Sequence, residues 1–386
     1  MLRYLNGGES HGKCLLAVLE GVPAGLPLTA DMVNQDLGRR QKGYGRGGRM
    51  RIEQDRVEFA CGVRKGKTLG NPIGLLIANK DWENWKEVMA AEPGPASVEK
   101  VVTRPRPGHA DLVGAIKYGH RDVRNVLEKA SARETAIRVA IGGVAKALLS
   151  AFGMRVISYT MEIGTVTAMP PQDPLDAYER AEGSDVRCPD ETAGSAMIEL
   201  IRAAKHKGDT LGGVFEVVVT NPPIGLGSYA QWDRRLSTRL GMAAMSIQAM
   251  KGVEIGMGFE AARRFGSEVH DDIYYDHTQR EFVRKTNRAG GLEGGITNGQ
   301  PIVVRVAMKP ISTLYSPKQS VDIETKEAFE ATVERSDICT VPAAGVVGEA
   351  VIAFEIANAM IEKFGGDTLD EMKRNFDAYQ DYVKSF

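Results

Sequence analysis

Arginine, histidine and glycine occupy the positions of this chain best suited to handling charge. Residues 104–139 hold six arginines (104, 106, 121, 124, 133, 138), two lysines and two of the six histidines of the chain. Pro105, Pro107 and Gly108 make the first part a loop. From about Asp122 the spacing predicts a helix, with Val126, Ala130, Ile137 and Ala140 on roughly one face. Arg124, Ser131, Arg133, Glu134 and Arg138 fall on its other sides, and its own acidic residues are few: Asp122, Glu128 and Glu134. Two readings stay open for so many guanidinium groups. One is a solvated charged face. The other is a cradle for an anion bearing carboxylate and phosphate groups, which the forked N–H donors of arginine match.

A second basic stretch runs from Arg39 to Arg51, with six basic residues and no acidic one. It also satisfies G-x-G-x-x-G at 43–48, but arginines stand where a dinucleotide-binding unit needs a hydrophobic strand before and a helix after. The economical reading is a glycine-hinged loop whose arginines close over an anion. The non-enzymatic alternative is an RNA-binding protein using this Arg/Gly loop, 39–51. A formal net charge of −1 and few aromatic residues near the basic loops speak against it. GESHG (8–12) fits the G-x-S-x-G nucleophile elbow, which would make Ser10 the nucleophile of a serine hydrolase. An elbow follows a buried strand of an already built sheet, and too few residues precede this one. His11, set between glycines, is a turn histidine or a general acid. His270, Asp271, Asp272, Asp276 and His277 match no metal-ligand spacing, and no metal is expected.

These residues need a scaffold. With 386 residues and 43% hydrophobic content the chain can bury a large core. Predicted helices start at Thr29 or Asp31, after Trp85 (87–100 reads as helix then loop), and at Asp190, Leu236, Gly345 beyond a break at Pro342, and Asp367. Strands are predicted within 52–78, at 154–164, and in runs ending near Pro222 and Met308. No linker or composition break appears, so one large mixed α and β domain over 1–386 is expected, with a surface insertion near 165–195. Four separated cysteines (14, 61, 188, 339) form no C-x-x-C pair, and no stretch approaches ~20 apolar residues. A cytoplasmic protein without a membrane partner is expected.

GGESHGK (7–13), RRQKGYGRGGRMRIE (39–53), RPGHAD (106–111), GHRDVRNVLEKASARETAIRVA (119–140), DTLGG (209–213), SIQAMKG (246–252), AGGLEGG (289–295), KPIST (309–313) and RSDIC (335–339) occur in this order. With these motifs the chain resembles the chorismate synthase family over nearly its whole length. The resemblance implies an α+β fold, a β-α-β sandwich with helices between antiparallel sheets, and a homotetramer. It implies anti-1,4-elimination of phosphate and a ring hydrogen from 5-enolpyruvylshikimate 3-phosphate, giving chorismate, with reduced FMN required and NADPH a possible reductant. It also implies site roles. His11, Arg40, Arg46, Arg49, Arg133 and Arg335 would bind substrate, and Arg40 and Arg46 also NADPH. Ser131, Ala132, Arg133, Gln248, Ala249, Gly294, Lys309, Pro310, Ile311, Ser312, Thr313 and Arg335 match positions that hold FMN. His11, with Ser10 beside it, would protonate the leaving phosphate. His109 would protonate or stabilise the reduced flavin, and Asp337 would accept the ring proton. Gln248 departs from the Asn or Pro common in the family.

Overall fold

Strand β2 (Cys14–Glu20) alternates: Leu15, Ala17 and Leu19 are buried, while Leu16 and Val18 face outward. That is the period of a strand covered on one face. The computed structural model describes residues 1–47, 54–93, 101–333 and 336–386. In it β2 pairs with β1 (Arg3–Gly7) and β4 (Ile73–Ala78), and β4 pairs with β3 (Glu58–Cys61), all antiparallel. A second antiparallel sheet has the order β8 (Met250–Ile255), β9 (Ile302–Met308), β7 (Gly213–Thr220), β5 (Arg155–Ile163), β6 (Val166–Thr167).

Between the sheets lie α4 (Thr135–Ser150) and α8 (Val341–Phe364). α4 covers β2 and β4, α8 covers β5 and β7, and the two helices pack on each other. A helix covered on both sides must be apolar nearly all round, and both are. They approach closely at Gly142, where an added Cβ would lie 2.3 Å from the Ala350 Cβ. α8 is long and apolar enough to cross a membrane, but 83% of its apolar window is buried inside the protein. This is the mixed sandwich that the resemblance implies.

One charged cluster sits inside the sandwich. Glu349 of α8 is fully buried and pairs with Arg39 of α1 (Ala30–Gln41) at 2.7 Å, Lys146 of α4 at 2.5 Å and Arg187 at 3.2 Å. Ser158 of β5 donates to it at 2.6 Å. Burial alone would raise its carboxyl, but the surrounding cations hold it well below the carboxylate range. The cluster fixes the end of α1, and Arg40, the next residue, reaches the site.

Several local expectations needed correction. The helix predicted from Asp122 is in three pieces: α3 (Arg124–Leu127), a single turn Ala132–Glu134, and α4. Ser131 stands between them in extended backbone, its Oγ accepting the Arg133 N–H at 3.2 Å. A serine capping the next turn competes with helix continuation. Residues beyond the 104–108 loop form a further helix, α2 (Asp111–Tyr118), closed by Gly119 at φ +70°. Pro342 opens α8 rather than breaking it, because a first-turn residue lacks no helical hydrogen bond. The helix from Leu236 stops at Met245 (α7, Leu236–Met245), and Met250 already belongs to β8. Residues 87–93 form no helix, and 94–100 lie outside the described residues. Within 165–195, α5 (Pro174–Glu182) packs against β5 and buries Ala177 and Ala181.

Candidate active site

The turn between β1 and β2, the end of α1, the break between α3 and α4, the turn before β8 and the segment after β9 converge on one cavity of about 500 Å³. Four arginines (40, 46, 106, 133) and Lys309 line it against one carboxylate, Asp337, among the described residues. Ser10, His11, His109, Ser131, Ala132, Gln248, Ala249, Ile311, Ser312 and Thr313 line it too. Gly294 and Pro310 are not among its lining residues; Gly294 lies in the turn joining two short strands at 292–293 and 296–297. Arg49 and Arg335 lie outside the described residues.

The arginines are held from elements far away in sequence. Asp55, fully buried, accepts from Arg133 Nη1 at 2.5 Å and Arg40 Nη1 at 3.3 Å. Arg40 also donates to Thr135 Oγ1 at 2.9 Å and the Ala132 carbonyl at 3.0 Å, and Arg133 to Asn79 Oδ1 at 2.9 Å. Arg46 pairs with Asp337 at 3.2 Å, and Asp337 accepts the Gly47 N–H. Burial, offset in part by Asp55 and reinforced by Arg46 and Arg133, pushes the Arg40 guanidinium down to about 10. It is still a cation at neutral pH, and among the described residues Asp55 pairs with both Arg40 and Arg133. A cavity lined by so many cations suits an anion.

Each of the two histidines rests on a buried carboxylate. His11 Nδ1 lies 2.9 Å from Glu128 Oε2, and its ring stacks on Trp85 at 4.0 Å between centroids. His109 Nδ1 contacts Asp111 Oδ1 at 2.5 Å. Arg106 donates to the same Asp111 at 2.8 Å and to Thr313 Oγ1 at 2.9 Å, and its Nη2 lies 3.1 Å from His109 Nδ1. Burial would raise the Asp111 carboxyl, but His109 and Arg106 hold it well below its ordinary value. Ser131 Oγ donates to Ser10 Oγ at 3.2 Å. Imidazoles so oriented can give or hold protons at fixed atoms.

A second wall is neutral and rich in donors and acceptors. The Gln248 side chain donates to Glu134 at 2.8 Å, and its buried Oε1 has no hydrogen-bond partner. Ala249 adopts φ +71°, a conformation rare for a residue with a Cβ. Lys309 donates to the Gly108 carbonyl at 3.0 Å, and burial with nearby Lys251 lowers its ammonium below the ordinary value. An amide with an open acceptor, two hydroxyls (Ser312, Thr313) and cations at one end suit a flat heteroaromatic cofactor carrying a phosphate. No group of three or more His, Cys, Asp or Glu suited to a metal occurs among the described residues.

Sequence reasoning missed the partners. Asp55, Asn79, Asp81 and Trp85 come from segments with no motif of their own, and Asp111 closes RPGHAD without showing what it holds. Only the unpaired look of the arginines signalled that such partners must exist. The structure also removes the two alternatives. GESHG joins two antiparallel strands with no helix after it, so it is not a nucleophile elbow. Arg39 and Arg40, which open the 39–51 stretch, are committed inside the fold to Glu349 and Asp55 and are not available to nucleic acid.

The chorismate synthase family model matches residues 2–361. A protein of Geobacter sulfurreducens named chorismate synthase is 56% identical over 393 residues, covering all of both chains. One of Syntrophotalea carbinolica with the same name is 58% identical over 386 residues, covering 100% of this chain and 99% of its own. A solved structure titled as the crystal structure of chorismate synthase superposes with TM-score 0.82 at 46% identity, covering 100% of this chain and 99% of that one.

Proposed function

The chain belongs to the chorismate synthase family, and from that premise we propose which of its residues carry the reaction. The enzyme is a carbon–oxygen lyase acting at the last common step of the shikimate pathway. From 5-enolpyruvylshikimate 3-phosphate it breaks a ring C–O bond and a ring C–H bond. The electron pair of the first leaves with phosphate, and that of the second ends in the ring diene of chorismate.

The observation that carries the assignment is the excess of arginine over carboxylate on one cavity that also presents two carboxylate-held histidines. Arg40, Arg46 and Arg133, joined by Arg49 and Arg335, bind the substrate's phosphate and two carboxylates. Ser131, Ala132, Arg133, Gln248, Ala249, Gly294, residues 309–313 and Arg335 hold FMN. Reduced FMN, when bound, supplies an electron that is returned within the turnover, so the reaction has no net redox change. His11 gives its proton to the departing phosphate, with Ser10 beside it. His109 keeps a proton at the cofactor, and Asp337 receives the one lost from the ring. If NADPH serves as reductant, Arg40 and Arg46 receive its phosphates. We place the enzyme in the cytoplasm, in keeping with its bacterial relatives, and as a homotetramer, which the family resemblance implies.

His11→Ala and His109→Ala, assayed anaerobically with chemically reduced FMN, should each lose ~100-fold or more in turnover. Near-wild-type turnover by both variants would remove these proton roles.

A further inference from the structure

The 8–12 turn is short and glycine-rich, so something outside it must hold its histidine still. Three hydrogen bonds from this turn converge on one residue. The Ser10 N–H donates to the Glu128 carbonyl at 2.9 Å, the His11 N–H to Glu128 Oε2 at 2.9 Å, and the His11 ring reaches the same carboxylate through Nδ1 at 2.9 Å. Glu128 follows α3, its side chain is completely buried, and Arg124, one turn earlier, pairs with it at 3.1 Å. We infer that Glu128 is the positioning residue for His11: it holds a proton on Nδ1 and leaves Nε2 as the atom that exchanges protons with the substrate.

The chemistry follows from the donor inventory. Burial works to raise the Glu128 carboxyl, but the hydrogen bonds and charge of His11, together with Arg124, hold it below its ordinary value. An ionised carboxylate only accepts, so the nitrogen against it carries the hydrogen. Asp81 Oδ2 stands 4.0 Å from His11 Nε2. That is beyond hydrogen-bond reach. Trp85 covers the ring face, and Arg124 lies 5.0 Å from the Trp85 ring centroid. The charged groups around His11 are therefore Glu128, Asp81 and Arg124, with Glu9 and Lys13 on its own turn and Arg40, Arg46 and Arg133 lining the same cavity. His109 has a different setting, because Arg106 shares its carboxylate and touches its ring.

The inference rests on the reading of His11 as the acid, and the test separates the two. In the full-length protein without substrate, ¹⁵N spectra of labelled histidine should show His11 with its hydrogen on Nδ1. Glu128→Gln should lose that preference. Its kcat for phosphate release should fall ~10- to 100-fold with KM within about twofold, since positioning can cost no more than the acid itself supplies. Glu128→Asp, which keeps the charge, should recover part of the rate. A neutral wild-type ring with its hydrogen on Nε2 instead of Nδ1, or a Glu128→Gln variant with unchanged kcat, or one impaired only in KM, overturns the inference. If Glu128→Gln does not fold, the wild-type spectrum and the Glu128→Asp rate decide. Full turnover by His11→Ala overturns the acid reading instead, whatever the spectrum shows.

Discussion

Asp55→Asn removes a negative charge shared by two buried guanidiniums while keeping the side chain's shape. Asp55 and the Arg133 and Arg40 side chains are at most 5% exposed, at 2.5 and 3.3 Å. Deleting one partner of a buried pair costs ~3–5 kcal/mol, and an amide that still accepts a hydrogen bond puts the loss near ~3 kcal/mol. At ~2–4 °C per kcal/mol the melting temperature should fall by about 6–12 °C. Because Arg40 and Arg133 line the cavity, the variant has one negative charge fewer beside it than the wild type. Inorganic phosphate should therefore raise the variant's melting temperature more than the wild type's, narrowing the gap. The assay is thermal unfolding by circular dichroism at neutral pH, with and without phosphate. A variant that melts within about 1 °C of wild type, or a gap that phosphate leaves unchanged, would refute the argument that Asp55 holds back an anion-seeking pair.

Glu349→Gln should destabilise the fold and flatten its acid limb. The folded carboxyl lies below its unfolded value, so its stabilisation is complete above the ordinary range near 4.5 and is lost as pH falls through that window. Wild type should lose stability from about pH 5 downward in denaturant titrations, and Glu349→Gln should start lower at neutral pH and change less; parallel curves would contradict the ionised assignment. Gly142→Ala places a methyl 2.3 Å from the Ala350 Cβ and 2.4 Å from its Cα. It should cost ~1–3 kcal/mol through overpacking, measured by urea unfolding, and no loss would mean that the helices part easily.

The residues by themselves were legible only as one large mixed α and β domain; the sandwich came from the family resemblance, because α4 is apolar nearly all round and shows no one-sided period. The helix breaks were not legible. Ser131 interrupts the arginine helix through a hydroxyl that caps the following turn, and helical spacing alone cannot show that choice. That interruption places Ser131 beside Ser10. The arginine and histidine residues of the site were legible as types. Their partners were not, because Asp55 pairs with Arg133 from 78 positions away and Glu128 with His11 from 117. Such pairs are made by tertiary packing, and the sequence only signals that the cations near the site outnumber the acids beside them. The family motifs pointed to these residues without saying what holds them.

The central claim is redox-neutral elimination of phosphate in the arginine-lined cavity. Its most direct measurement is phosphate and chorismate formation from 5-enolpyruvylshikimate 3-phosphate with chemically reduced FMN under anaerobic conditions, the flavin being followed by absorbance. The account predicts equal amounts of phosphate and chorismate over many turnovers, with the flavin still reduced at the end. No phosphate release, or one flavin oxidised for each phosphate released, would contradict it.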